Sequence, residues 1–393
     1  MIFQTLDNKK ECYAIFVDDD LYHYSNSLEL SETWNYTTHV DSKNVEYAQV
    51  WCGGKNLADA CPEDVKDEWQ KIYNKSKAFM VSLKEAKINL NDNCFYDLIP
   101  KRHLIEYCRI KNKITKYVLE HYKKPKNYDF MVDVLSLLND IEATPLNIIP
   151  ERLNIANIRA RNLKFKIDKG CNNIFYNVWG SVTGRLTTKS NSFPILTLNK
   201  EFRNILVPNN DWFVELDFNA AELRTLFNLL GKEQPEEDIH SWISENIFNS
   251  KYDRDETKKK VFAWLYNPKA KNKKLAVYLD KESALKKYYI NGVVNTPFDR
   301  SIEVSEDKAL NYLIQSTTSD LFLKQVVEIN KLLKERKSHV AFCVHDSVII
   351  DFCDEDRDLL IKIMDLFSET KLGNFKVNVR AGRDYGNMGK LKF

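Results

Sequence analysis

The chain has 393 residues, of which 44% are hydrophobic and 29% are charged, and its formal net charge is +2. These values are typical of a soluble globular protein with two or three domains, and they exclude a disordered or fibrous chain. No apolar run is long enough to cross a membrane and the first residues lack the pattern of a secretion signal, so a cytoplasmic protein is expected.

The first predicted elements are a hairpin and three helices. Alternating apolar and polar residues in "ECYAIFVDDDLYHY" (11–24) predict two paired strands. Helical spacing of apolar residues predicts helices over 63–88, 101–122 and 129–143, the last of them ended near Pro145.

Strands and helices are mixed in the second half of the chain. The segment "FVELDF" (213–218) predicts a strand, and "AELRTLFNLLG" predicts a helix closed by Gly231. A further helix is expected over 254–266, ending there because Pro268 favours an extended Asn267. Two buried strands should flank a His-Asp turn in 339–352, so the fold class is α+β.

Charge is unevenly distributed along these elements. Residues 1–100 contain 10 Lys and Arg against 17 Asp and Glu, a balance of −7 that leaves +9 for the remainder. The basic excess is densest in 251–287, which has 12 basic and 5 acidic residues. Such a cluster is typical of a surface that binds phosphate or nucleic acid, although a solvated lysine-rich helix has the same composition.

Eight cysteines are present, and no two of them form a CxxC pair. In a chain of this size the pattern favours buried, reduced thiols over a disulfide framework.

Two aspartates stand at predicted strand ends. Asp217 follows "FVEL" and Asp346 lies at the tip of the later hairpin. If the strands are neighbours, the two carboxylates repel each other unless a proton or a cation lies between them, and oxygen ligands favour Mg²⁺ or Mn²⁺. The alternative is helix capping, in which Asp217 or Asn219 accepts from the first amides of the next helix.

One predicted helix carries cations at one end and aromatic rings at the other. Arg254, Lys258, Phe262 and Tyr266 are spaced four residues apart and span about 18 Å at 1.5 Å per residue. This spacing suits the phosphates and base of a nucleotide, although an amphipathic surface helix remains the alternative.

Three further polar residues are candidates for contacts with nucleotide or nucleic acid. His240 begins a predicted helix, where it could meet a phosphate, unless it is a capped surface histidine. Asn311 and Gln315 share a helix face, from which amides could read the minor-groove acceptors common to all base pairs. An ordinary surface pair is the other interpretation.

Together these segments resemble the polymerase module of family A DNA polymerases over about residues 127–393. The matching motifs occur in the family's order: "TGRLTT" (183–188), "DFNAAELR" (217–224), "DIH" (238–240), the helix with Arg254, Lys258, Phe262 and Tyr266, "GVVNTPFDR" (292–300), "NYLIQ" (311–315), "VHDS" (344–347) and "GRDYGNM" (382–388).

The resemblance implies a template-directed DNA polymerase that adds dNTPs to a primer on primer–template DNA, with Asp217 and Asp346 holding two Mg²⁺ ions that Mn²⁺ could replace. It implies that Glu222 excludes a ribose 2′-hydroxyl. The implied dNTP-binding residues are Glu222, His240, Arg254, Lys258, Phe262 and Tyr266. The implied primer and template contacts are Arg185, Asn311, Gln315 and His345. His240 would join Arg254 and Lys258 in neutralising phosphate charge.

The resemblance also implies a right-hand fold, with an antiparallel sheet in the palm, helical fingers and a small N-terminal α/β domain. The expected ranges are 1–126 for the N-terminal domain, 127–227 for palm entry, thumb and first motif, 228–300 for fingers and 301–393 for the remaining palm. Only about 35 residues are available for the thumb, which should be vestigial. The module is compact and phage-like, so the expected setting is a bacterium or a phage-infected host cell.

Several departures from the family pattern matter. Ser347 stands where glutamate is usual, and Asn267 replaces a glycine. The N-terminal domain occupies the position of a 3′–5′ exonuclease, yet "VDDD" (17–20) has no glutamate at the required offset. We therefore expect an acidic structural or docking domain without proofreading, able to bind a processivity factor or another replisome protein.

Two alternatives stay open at this point. The chain could be an inactive DNA-binding replisome scaffold, or it could be a single-subunit RNA polymerase or primase. The intact aspartates argue against the first of these, and Glu222 argues against the second.

Overall fold

The structure, a computed structural model, describes residues 1–9, 12–23, 28–38, 40, 44–88, 93–267 and 270–391, with the backbone alone for 7–9, 12 and 13. The chain divides into two compact units, Met1–Ser136 and Leu137–Phe393. No helix in the described ranges is both long and apolar enough to cross a membrane.

The first unit combines short strands with two long helices. Its strands are β1 (Gln4–Lys9), β2 (Cys12–Val17), β3 (Asp20–His23), β4 (Glu32–Thr33) and β5 (Glu46–Tyr47). Its helices are α1 (Ala48–Trp51), α2 (Leu57–Ala60), α3 (Lys66–Glu85), α4 (Phe95–Leu98), α5 (Lys101–His121) and α6 (Tyr128–Ala143), the last of which continues into the second unit. The predicted hairpin and the three predicted helices are all present.

Amphipathic spacing explains how this unit packs. Strands β1, β2 and β3 form an antiparallel sheet, and the β2–β3 turn has positive φ at Asp18 and Asp19. Two consecutive residues of this kind form the tight turn that suits the twist of a hairpin. Buried residues of α5, among them Ile114 and Val118, pack with Trp69 of α3 in one core cluster.

The second unit is larger. Its strands are β6 (Asn147–Ile148), β7 (Tyr176–Asn177), β8 (Thr187–Thr188), β9 (Leu206–Val207), β10 (Trp212–Phe218), β11 (Tyr289–Ile290), β12 (Val293–Asn295), β13 (Ser301–Glu303), β14 (His339–Val344), β15 (Ser347–Phe352), β16 (Glu369–Thr370), β17 (Gly373–Asn374), β18 (Val377–Gly382) and β19 (Gly389–Lys390). Its helices are α7 (Ile158–Asp168), α8 (Ala221–Leu229), α9 (Ile239–Asn246), α10 (Arg254–Tyr266), α11 (Lys273–Tyr278), α12 (Lys281–Tyr288), α13 (Glu306–Leu333) and α14 (Leu360–Ser368).

An antiparallel sheet of five strands, in the order β14-β15-β10-β18-β19, is the centre of this unit. Strand β10 alternates, so that Leu216 and Phe218 face one side while Glu215 and Asp217 face the other. The Phe218 ring stacks on Phe367 of α14 at a centroid distance of 4.2 Å. Burial of that face fixes the register and leaves Asp217 on the opposite face.

Helices α8 to α12 and the first half of α13 share a second core. Gly231 has a positive φ of 66° just after α8, and Asn267 is extended just after α10, as the sequence predicts. Helices mixed with an antiparallel sheet confirm the α+β class.

A buried ion pair supports the turn at 183–185. The Arg300 guanidinium donates from Nε and Nη2 to the two carboxylate oxygens of Asp320, at 2.9 and 2.7 Å. The Asp320 side chain has no exposed surface. Gly184 has a φ of 75°, and a Cβ built on it would lie 2.5 Å from Arg300 Nη2. Ser319 also donates to the Gly184 carbonyl at 2.9 Å.

The cysteines follow the prediction only in part. Cys52, Cys61, Cys108, Cys343 and Cys353 are free and buried, and Cys171 is free and half-buried. Cys94 is disulfide-bonded, so the prediction of reduced thiols is wrong for this residue.

We expect Asp320→Asn to lower the free energy of unfolding by about 3 kcal/mol, because it leaves the buried Arg300 guanidinium without a counter-charge. Urea unfolding measures this loss. Glu328→Gln is the matched control on the same helix, since Glu328 forms an exposed pair with Lys331 that is worth less than about 1 kcal/mol. Equal decreases in the free energy of unfolding of the two variants would show that the buried pair contributes no more stability than the exposed pair.

Candidate functional site

The two candidate aspartates come together at one end of the central sheet. Asp217 pairs with Ser347 in the β10–β15 ladder, and Asp346 immediately precedes Ser347 in the two-residue turn between β14 and β15. Asn378 on the other neighbour, β18, donates from Nδ2 to Asp217 Oδ2 at 3.3 Å. The Asp217 carboxylate on β10 therefore has Asn378 of β18 on one side and the β14–β15 turn, with Asp346, on the other.

The surroundings of Asp217 and Asp346 disfavour the ionised form of both carboxyl groups. Burial and the neighbouring charge of Asp346 raise the pKa of Asp217 to about 6, while the hydrogen bond from Asn378 partly offsets them. Burial also raises the pKa of Asp346, although His345 and Arg185 lower it. A cation beside the pair would offset the burial of both carboxylates and the repulsion that contributes to the shift of Asp217.

The donor set of the pair fits Mg²⁺ or Mn²⁺. Among the residues that the structure describes, no group of three or more His, Cys, Asp or Glu side chains could hold a metal ion. Two carboxylates are nevertheless the usual protein contribution where the phosphates of a substrate and water complete the shell of Mg²⁺. Asp217 and Asp346 are the residues that would hold such ions.

A cavity of about 210 Å³ collects several of the predicted site residues. Those on its wall are Arg185, Glu222, Phe262, Gln315, His345 and Asp346. They come from the turn before β8 and from α8, α10, α13 and the β14–β15 turn. These segments are far apart in the sequence, so only the fold brings their side chains together.

Arg185 and Glu222 form an ion pair at this cavity. The Glu222 side chain is 15% exposed, whereas Arg185 is about half exposed. Burial raises the pKa of Glu222 and the Arg185 guanidinium lowers it. The structure therefore places the predicted primer contact and the predicted 2′-hydroxyl filter in direct contact with each other.

Two residues at the cavity have left-handed backbone conformations that are uncommon outside glycine. Ala220 has φ 52° and ψ 51°, and His345 has φ 57°. Such conformations cost about 1–3 kcal/mol each and are concentrated at functional sites. Ala220 is the N-cap of α8 and no side chain caps that helix, so the capping alternative for Asp217 and Asn219 is wrong.

Helix α10 presents the predicted row of four residues. Lys258 Nζ lies 5.9 Å from the centroid of the Phe262 ring, which stacks with Tyr266 at 5.8 Å. Arg254 is half exposed and donates from Nη2 to Asp238 Oδ2 at 2.9 Å. Only Phe262 of this row reaches the wall of the cavity.

Asp238 is a residue that sequence reasoning missed, although it begins the "DIH" motif. Its carboxylate accepts from the amides of His240 and Ser241 at the start of α9 and from the Asn219 side chain, besides Arg254. Burial opposes its ionisation, but the hydrogen bonds from Arg254 and Asn219 hold its pKa well below the usual range. Asp238 thus links the segment after β10 to α9 and α10.

His240 is not the capped surface histidine of the alternative interpretation. Its side chain is 2% exposed, and its ring lies 6.0 Å from Phe262. Burial lowers its pKa to about 4, helped by Arg254 and Lys258 and opposed by Asp238. The ring is therefore neutral at pH 7 before any anion binds. Its Nδ1 is buried and has no hydrogen-bond partner within the described part of the chain.

The remaining predicted residues are on α13 and in β15. Asn311 and Gln315 are half-buried on α13, and of the two only Gln315 is part of the cavity wall. Ser347 is buried and donates to the Val344 carbonyl at 2.9 Å. The hydroxyl is thus used within the hairpin. Asn378 gave no signal in the sequence beyond strand alternation.

Comparison with known proteins finds both a similar sequence and similar solved structures. A DNA polymerase I from Chloroflexus aurantiacus is 24% identical over 337 residues, which cover 71% of this chain and 34% of that protein. The chain thus spans about a third of the length of this relative. No family model matches.

The second match is a solved structure, the polymerase domain of Pol1 from M. smegmatis in complex with DNA primer-template and dNTP. It shares 12% identity and a TM-score of 0.56 over 73% of this chain and 76% of that one. This likeness confirms the predicted α+β polymerase fold. The chain is similar in sequence to a DNA polymerase I and has the fold of a DNA polymerase domain.

Proposed function

We propose that this protein is a template-directed DNA polymerase that extends a primer 3′-end with dNTPs on primer–template DNA. The observation that carries the proposal is the adjacency of Asp217 and Asp346 beside a cavity walled by Arg185, Glu222 and Phe262. An acidic pair next to cationic and aromatic side chains suits a triphosphate substrate with a base.

In the proposed reaction the primer 3′-oxygen forms a bond to the α-phosphorus, the bond to the β-phosphate oxygen breaks, and pyrophosphate leaves with that electron pair. Two Mg²⁺ or Mn²⁺ ions at Asp217 and Asp346, when bound, would lower the pKa of the 3′-hydroxyl and neutralise the leaving phosphates. Asp217 and Asp346 orient the reacting groups, since the sheet register fixes both carboxylates.

The α10 row is proposed to bind the nucleotide. Arg254 and Lys258 would neutralise phosphate charge, and Phe262 and Tyr266 would stack against the base pair. His240 would donate one hydrogen bond to a phosphate oxygen as a neutral ring, and an anion beside it would favour the protonated form. Asp238 keeps Arg254 close to that position.

The DNA contacts are proposed for the residues around the same cavity. Arg185 and His345 would contact the primer terminus, while Asn311 and Gln315 would test base-pair geometry in the minor groove. In this proposal Arg185 breaks its ion pair with Glu222 and pairs with a phosphate group of the DNA instead. Glu222 would then occupy the space that a ribose 2′-hydroxyl requires.

The N-terminal unit is proposed to lack 3′–5′ exonuclease activity. Asp18, Asp19 and Asp20 lie in the exposed β2–β3 turn and the start of β3, and Asp19 pairs with Arg109 at 2.9 Å. Among the residues whose side chains the structure describes, no group of three or more acidic, His or Cys side chains that could hold a metal ion is found here. A processivity factor or another replisome protein is the proposed partner of this unit.

Primer extension tests the proposal directly. The wild-type protein should extend a 5′-labelled primer with Mg²⁺ and dNTPs, and it should leave the primer uncut when dNTPs are omitted. Shortening would reveal proofreading. No extension with either Mg²⁺ or Mn²⁺, while DNA still binds, would instead favour the replisome scaffold.

Asp217→Asn and Asp346→Asn should each slow extension about a thousandfold, since a loss of about 4 kcal/mol of charge stabilisation amounts to three factors of ten. Single-turnover extension rates measure the effect. Asp358→Asn, which changes an exposed aspartate of the same unit, should leave the rate unchanged. Extension by Asp217→Asn at the wild-type rate would refute the assignment.

Glu222→Ala should increase incorporation of NTPs relative to dNTPs by at least about tenfold, because removal of the side chain opens space for a 2′-hydroxyl. The ratio of kcat/KM values for a dNTP and the matching NTP measures this. Glu222→Gln keeps the bulk without the charge and should retain discrimination. Loss of discrimination in both variants would show that the charge is the filter, and a wild-type preference for NTPs would favour an RNA polymerase or primase.

Synthesis should be distributive. The roughly 35 residues proposed for the thumb, between α6 and "TGRLTT" (183–188), contain one α-helix, α7, whose 11 residues span about 16 Å. So short a helix can make only a few contacts with a DNA duplex. We expect fewer than about ten nucleotides per binding event in the presence of a heparin trap, because dissociation then competes with each addition. Products of hundreds of nucleotides under the trap would contradict a vestigial thumb.

A further inference from the structure

A groove runs between α3 and α5 in the first unit, separate from every residue of the proposed polymerase site. Its volume is about 360 Å³. Its wall consists of four residues from each helix: Glu68, Lys71, Ile72 and Lys75 from α3, and Glu106, Arg109, Ile110 and Lys113 from α5.

The two walls carry the same pattern. Each reads Glu, then a basic residue three positions later, then Ile, then Lys three positions after the isoleucine. Residues three and four apart share one face of a helix, so both helices present equivalent faces to the groove. Ion pairs cross it in opposite directions, Lys113 to Glu68 at 2.7 Å and Lys75 to Glu106 at 4.0 Å. The groove thus has an approximate two-fold arrangement.

These cross-groove pairs use both glutamates and leave a positive excess between them. Lys71 is exposed and forms no ion pair with the residues that the structure describes. Arg109 is half exposed, and its only described partner is Asp19, itself 67% exposed. The floor between these two cations is formed by Ile72 and Ile110, which are 5% and 9% exposed and so offer a narrow apolar strip.

The apolar floor and the two cations beside it together favour one class of ligand. Two cations beside an apolar strip complement a carboxylate next to a hydrophobic side chain. Nucleic acid would use the two cations but leave the apolar strip without a partner. A short peptide can place its carboxylates at the two central cations alone.

We propose that this groove binds an acidic peptide segment of another protein. One apolar side chain of the peptide lies on Ile72 and Ile110, and flanking carboxylates pair with Lys71 and Arg109. The proposal concerns binding by the first unit and does not depend on polymerase activity.

Fluorescence anisotropy with the full chain tests this proposal. The probe is a fluorescein-labelled heptapeptide with one leucine between two triplets of aspartate and glutamate. Saturable binding is expected for the wild type. Replacement of the leucine by serine should weaken it at least about tenfold, because the apolar anchor is lost.

The protein variants separate a built site from general charge attraction. Lys71→Glu combined with Arg109→Glu should weaken peptide binding at least about tenfold, because like charges then face the peptide. Lys77→Glu combined with Lys84→Glu makes the same charge change on α3 outside the groove and should leave binding unchanged. If the first double variant does not fold, Lys71→Gln alone should weaken binding about threefold, since it removes one unpaired charge.

Three results would overturn the proposal. One is the absence of saturable binding by the wild type. Another is equal binding of the leucine and serine peptides, or equal loss in the two double variants, which would mean non-specific attraction. The last is tighter binding of a labelled single-stranded oligonucleotide that is lost with Lys71→Glu and Arg109→Glu, which would make the groove a nucleic-acid site.

Discussion

The packing of the central sheet in the second unit has to withstand the repulsion between the neighbouring carboxylates of Asp217 and Asp346. Two partly buried carboxylates stay together only because β10 and β15 are central strands whose register is fixed by packing on the other face of the sheet. The stacked Phe218 and Phe367 rings are part of that packing. Hydrophobic burial on one face of the sheet thus holds an unfavourable charge arrangement on the other.

A second set of polar contacts connects this centre to the helices around it. Asn219, two residues after Asp217, donates to Asp238, and the Arg224 side chain donates to the carbonyls of Asn219, Pro235 and Glu237. Arg224 is 1% exposed, so these acceptors satisfy a buried cation. Any movement of α10 that carries Arg254 away must break its ion pair with Asp238.

Much of the fold and part of the site could be predicted from the sequence. Helix α10 has the predicted ends because Pro268 stops it, and the strands with Asp217 and Asp346 were visible as apolar runs with polar ends. Asp238, Asn378 and the Arg300–Asp320 pair were not predicted, since their partners are distant in sequence and their spacing shows no pattern. The lowered pKa of His240 could not be predicted either, because burial, its main cause, is a property of the tertiary structure.

Ser347 has a consequence for how catalytic ions would be retained. It is buried beside Asp217 and its hydroxyl is bonded within its own hairpin, so it contributes no negative charge where the related enzymes usually have a glutamate. In the proposed reaction the protein supplies two formal negative charges against the four positive charges of two divalent cations. Under that proposal the triphosphate would supply most of the remaining negative charge, so the ions would bind together with each nucleotide and stay only briefly between turnovers.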